Sequence, residues 1–80
     1  MGYGDARVSA VAAELRVEKA ARQVPMELLA DRSGVPVETL FQYLAGIRDM
    51  PLMSFLAICE GLDVDPGDLL RRVGASERPH

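Results

Sequence analysis

Eighty residues make a single domain, near the lower limit of what one core can hold folded, and a 49 % hydrophobic composition points to a compact globule rather than a disordered segment. No apolar run approaches the roughly 20 residues needed to cross a bilayer, and the opening MGYGDARVSA lacks the basic-then-apolar form of a signal peptide. One cysteine, Cys59, and one histidine, His80, leave no internal disulfide and no Cys/His zinc cluster, and the formal charge of −3 counts against nucleic-acid binding unless basic residues gather locally.

With few aromatics and no Trp, the core must rest on Leu, Val, Ile, Met and Ala, which suits helices packed on helices. A first helix is predicted from Ala6 to about Gln23. Val8, Val11, Ala12 and Leu15 form its apolar stripe, and Arg16, Glu18, Lys19 and Arg22 its polar side. Pro25 suits a first helical residue, where a missing N–H costs nothing. It opens a second helix through Met26–Arg32, with Leu29 and Ala30 inward, that stops at Ser33-Gly34. Pro36 opens a third helix in the same way, extending to about Ala45 and stopping at Gly46.

Asp49, Met50 and Pro51 start a fourth, apolar helix carrying Leu52, Phe55, Leu56, Ile58 and Cys59, closed by Gly61 and the Asp63-Val64-Asp65 turn. Asp65 as cap, Pro66 as first helical residue and Asp68 in the first turn are a start signal for a fifth helix. It carries Leu69, Leu70 and Val73 and is expected to end at Gly74. Capping explains Asp65 and Asp68 better than a metal loop, which Pro66 and Gly67 interrupt. Strand and hairpin signals are nearly absent. The expected architecture is all-α: one five-helix domain over 1–80, with its core about 6–73 and a flexible tail over 74–80.

Within it, MELLADRSGVPVETLFQYLAG reads as short helix, tight Gly-containing turn and short helix, a rigid corner. Ala30 is small where the two helices cross, and Val35 and Leu40 plug the corner from beneath. Wound at about 100° per residue, the later helix gathers Leu40, Tyr43 and Leu44 on one side. Glu38, Gln42 and Ala45 point the other way, flanked by Val37 and Phe41. A helix so divided fits the DNA major groove, where base edges are read by side chains of its first turns.

ELLADRSGVPVETLFQYLAGIRDMP followed by FLAICEGLDVDPGDLL resembles the Cro/lambda-repressor-type (XRE-like) helix-turn-helix family over roughly Val24 to Leu70. The shared features, in order, are Leu29-Ala30, Ser33-Gly34-Val35, Thr39-Leu40, Gly46, the Ile47–Pro51 loop, Leu62-Asp63-Val64 and Leu69-Leu70. The resemblance implies a lambda-repressor-like DNA-binding fold, with double-stranded DNA as partner and base contacts from Val37, Glu38 and Gln42. Chemistry agrees: Gln pairs with adenine, Glu accepts from the cytosine amino group, and Val meets the thymine methyl. It further implies flanking roles for Thr39 and Phe41, and phosphate contacts from Gln23, Met26 and Arg48, with Arg22 and Arg32 nearby. Three departures stand out. Met26 replaces the usual Gln, Ile47 the usual Lys, and Leu44 the Glu that pairs with an Arg of the first helix.

Each of these residues also has a plainer reading. Val37 and Phe41 suit partial burial against a neighbouring helix, or an exposed apolar patch of the kind that marks a protein partner. Glu38 suits a first-turn acid opposing the helix dipole, and Arg48 a solvated loop charge. Arg71 and Arg72 suit the C-terminal end of the last helix, and Cys59 and Tyr43 suit the core. An enzyme is not expected, since there is no phosphate-cradling Gly-rich loop, no internal His and no nucleophile with a partner; no cofactor or metal is expected either. The expected function is a prokaryotic or phage transcription regulator, a cytoplasmic repressor acting as a homodimer on a palindromic operator. Its dimer surface would involve Leu62, Leu69, Leu70 and Val73. The alternative keeps the fold and binds protein, as an adaptor, an antitoxin-like partner or a phage-encoded modulator.

Overall fold

The computed structural model describes residues 3–77, with side chains from 9 to 74, so the Val8 side chain and the last three residues of the expected tail, His80 among them, lie outside the described part. It is all-helical: α1 Tyr3–Ala21, α2 Met26–Ser33, α3 Val37–Ala45, α4 Leu52–Leu62 and α5 Pro66–Glu77, with no strand among the described residues. No described helix is long and apolar enough to cross a membrane.

One local device starts four of the five helices. The carbonyl of the residue before the helix accepts the N–H of the residue four places on: Pro25 from Leu29 (2.9 Å), Pro36 from Leu40 (2.8 Å), Pro51 from Phe55 (2.9 Å) and Asp65 from Leu69 (3.1 Å). All four donors are buried, so the bond that begins each helix also seats its core anchor. The first three prolines therefore sit one place outside the helix, and only Pro66 is a first helical residue as predicted. A proline caps well here because its fixed φ is already extended and its missing N–H is not called upon. Asp65 adds a side-chain cap, its carboxylate accepting the Asp68 N–H at 3.0 Å.

Among the described residues, four left-handed residues end helices: Gln23 (φ 56°), Gly34 (75°), Gly46 (77°) and Asp63 (60°). After Gln23, Gly46 and Asp63 the next N–H reaches back to a carbonyl five residues earlier, as in Val24 to Lys19 and Val64 to Cys59. Two of these stops are not glycines, which explains two displaced boundaries. α1 ends at Ala21 rather than Gln23, and α4 runs through Gly61 to Leu62. Gly74 does not stop α5, which continues to Glu77; an isolated glycine only weakens a helix.

Gly61 has a different task. A Cβ built there would meet Leu29 Cδ1 at 3.0 Å and Arg32 Cβ at 3.3 Å, so its bareness lets α4 approach α2 closely. The core formed around that crossing draws on every helix, with Leu15, Leu29, Leu40, Ile58, Leu62 and Leu69 fully buried. Ala30 packs at its edge, and Val35 and Leu40 are buried beneath the α2–α3 corner, as the sequence predicts. Leu52 and Leu56, expected on the apolar stripe of α4, are exposed; Phe55, Ile58 and Cys59 fill the core instead.

Arg72 does not complement the end of its own helix. It crosses to α1, where it meets Glu18 at 2.7 Å and Glu14 at 3.4 Å, while Arg22 holds the other Glu18 oxygen at 3.0 Å. Arg71 pairs within α5 with Asp68. The Arg72 hydrogen bond, then that of Arg22, hold the Glu18 carboxyl below its ordinary value of 4.5. A lowered pKa stabilises the fold above the unfolded value, and this contribution disappears as pH falls through the folded value.

Two outcomes follow. Gln23→Gly removes a strained left-handed side chain and should raise stability by about 0.5–1 kcal/mol, read as a higher urea midpoint with unchanged slope. Glu18→Gln should lower the urea midpoint at pH 7, and the gap to the parent should narrow as pH drops below 4.5; a gap constant across that range would show that the Glu18 charge contributes nothing.

Candidate functional site

α3 is held as a platform between a buried and an open side. Pro36 starts it, Gly46 stops it, and Leu40, Tyr43 and Leu44 bury one face against the core. A third fixture comes from α1: the Arg16 guanidinium donates Nη1–H to the Leu44 carbonyl oxygen. This satisfies a carbonyl at the helix end and sets a positive charge against the negative end of the dipole. Leu44 occupies the position where an Arg–Glu pair was expected to be missing. The arginine finds the main chain instead.

The open face presents Val37 (41 % exposed), Glu38 and Phe41 (58 %), with Gln42 half-buried at their side. Val37 and Phe41 are therefore not buried against a neighbouring helix. Together with Met26 and Ile47 these residues line a shallow groove of about 400 Å³. Met26 leans on the core from the start of α2, while Ile47, just beyond α3, is 69 % exposed. All three sequence-predicted base-contact residues thus lie on one surface, and Met26 and Phe41 join them. Thr39 is half-buried and outside the groove.

The sequence-predicted phosphate contacts are dispersed. Arg22 is paired with Glu18, and Arg32 donates to the Gly61 carbonyl at 3.2 Å, tying α2 to α4. Gln23 is exposed but serves as the left-handed stop of α1. Arg48 is exposed and forms no ion pair with another described residue. No lysine or arginine lines the groove.

The expected dimer surface needs correction as well. Leu62, Leu69 and Val73 are buried in the subunit's own core and offer no free surface; Leu70, at 46 % exposed, does. Among the exposed apolar residues that sequence reasoning did not place on the surface, Leu52 (66 %) and Met53 (74 %) at the start of α4 are the most exposed. The signal for them was present: counting four residues from Pro51 selects Phe55 as the anchor and leaves Leu52 outside. Cys59 is buried, as predicted, and burial, helped by the negative charge of Asp65, pushes its thiol up to about 11. It should stay unreactive toward a disulfide thiol reagent in the native protein at pH 8 and react fully in denaturant; prompt native labelling would contradict that burial.

Comparison with known proteins gives no match to a family model, a curated protein or a solved structure. The function of the α3 face is therefore argued from its own residues.

Proposed function

We propose that the chain is a sequence-specific DNA-binding regulator of the lambda-repressor-like helix-turn-helix type, in which α2, the Gly34–Pro36 turn and α3 form the motif and α3 enters the major groove. The observation that carries this reading is the division of α3: Leu40, Tyr43 and Leu44 are buried, Val37, Glu38 and Phe41 are exposed, and Val37, Glu38 and Gln42 line one shallow groove. Side chains of the first turns are those that reach base edges when a recognition helix docks. The order of motifs in the sequence points the same way. α2 and α3 both begin without a side-chain cap, which leaves their first N–H groups free for phosphate oxygens. Arg48 supplies a charge beyond the far end of α3. On this reading the protein is a homodimer whose two recognition helices lie about one DNA turn, ~34 Å, apart on a palindromic site. The twofold contact would use apolar residues left exposed, Leu52, Met53, Leu56 and Leu70. Binding over a promoter would repress by occlusion, without further surface.

A second reading, a protein-binding module on the same fold, is favoured by one observation: the groove is lined by four apolar residues with Glu38 and Gln42, and no described cation lines it. Retardation of DNA separates the two. A regulator should shift mixed-sequence duplex at low salt and lose that binding as salt rises. Gln42→Ala should cost about 1–3 kcal/mol on a site selected from a random pool and little on unselected DNA. Equal loss on both would remove Gln42 from base reading. The absence of any shift at low salt with excess DNA would leave the protein-binding reading.

A further inference from the structure

The exposed face of α3 carries opposite charges at its two ends, Glu38 and Arg48, and no charged residue lies between them in the chain. Glu38, Phe41 and Ala45 are exposed, and at about 100° per residue they share one side of the helix. Val37 and Ile47 widen the apolar middle. Arg48, just beyond the helix, is exposed, and neither it nor Glu38 forms an ion pair with another described residue. Arg16, Arg22 and Arg32, by contrast, are each engaged within the fold.

Such a face is complementary to itself when turned end for end. We infer that two copies of this chain pair through α3, laid antiparallel about a twofold axis level with Tyr43. Phe41 and Ala45 lie equally far from that axis on either side, as do Glu38 and Arg48. Phe41 of one copy therefore meets the small Ala45 of the other, and Glu38 meets the other copy's Arg48, each contact made twice. Exposed Asp49 comes level with Val37, at the start of the other α3, which has no side-chain cap and favours a carboxylate. The contact is small, since a nine-residue helix is about 13 Å long, so pairing is weak and rises with concentration. Its regulatory meaning rests on the proposed DNA-binding function. Val37, Glu38, Gln42 and Arg48, which would meet DNA, are covered in the pair, so crowded chains withdraw their own recognition helices. The twofold contact proposed at Leu52, Met53, Leu56 and Leu70 is a different surface and leaves α3 open.

Sedimentation equilibrium without DNA, at low salt and up to about 1 mM chain, reads the pairing. Glu38→Arg and Arg48→Glu each set like charges across the twofold and should weaken association about tenfold, since two ion pairs are lost per dimer. The double variant Glu38→Arg/Arg48→Glu restores both pairs with their signs exchanged and should recover the parental association. Both positions are exposed, so the variants should keep the parental urea midpoint. No association of the parent overturns the inference, as does association unchanged by either single reversal or a double variant as weak as the singles. With a selected duplex in excess, each complex should hold a single homodimer; a larger complex would show α3 still open and overturn the closure. If the parent shifts no DNA at low salt, the DNA-binding function falls, and pairing that follows the charge exchange stands without it.

Discussion

The architecture depends on a hydrogen bond repeated four times, from the N–H of a core anchor to the carbonyl of the residue that caps its helix. Leu29, Leu40, Phe55 and Leu69 each make it. Because the same residue closes the first turn and fills the core, the direction of each helix and its rotation about its axis are set together. A short chain with no Trp has little hydrophobic area to waste on alternatives. Prolines at three of the four caps also narrow the unfolded ensemble. The open face of α3 is a consequence of this rotation: with Leu40 seated, Tyr43 and Leu44 follow it inward and Glu38 and Phe41 must face out.

Much of this was legible in the sequence because prolines and glycines mark it. Five helices, the Gly34 and Gly46 stops, the Asp65 cap and the buried set around Leu29 and Leu40 are all readable from residue types and spacing. What was not legible has identifiable causes. Gln23 and Asp63 take a left-handed conformation that residue type alone does not announce, so two helix ends were displaced. Gly61 looks like a stop and is instead a point of close contact between α2 and α4, a distinction that exists only once α2 is present. Leu62, Leu69 and Val73 looked available for a dimer because periodicity identifies an apolar face without identifying what covers it.

The candidate site divides along the same line. Glu38 and Gln42 are one helical turn apart, as are Val37 and Phe41, so short-range spacing alone gathers them in two neighbouring pairs along one groove. The proposed phosphate contacts depend on long side chains whose partners lie far away in sequence. Arg32 turns toward Gly61, and Arg22 toward a glutamate that also holds Arg72. A positive charge in the sequence is thus no guarantee of a positive surface, and the groove beside α3 is mainly apolar despite nearby arginines.

The bond from Arg16 to the Leu44 carbonyl has an evolutionary side. A salt bridge between two side chains leaves a correlated trace, since losing one partner penalises keeping the other. A bond to a peptide oxygen leaves none: every residue supplies that oxygen, so position 44 can drift among apolar residues of suitable size while position 16 alone carries the constraint. The fixture that orients α3 is in this sense half invisible to any comparison of sequences, and a chain can replace a charged pair by such a bond in a single substitution without passing through a misaligned intermediate.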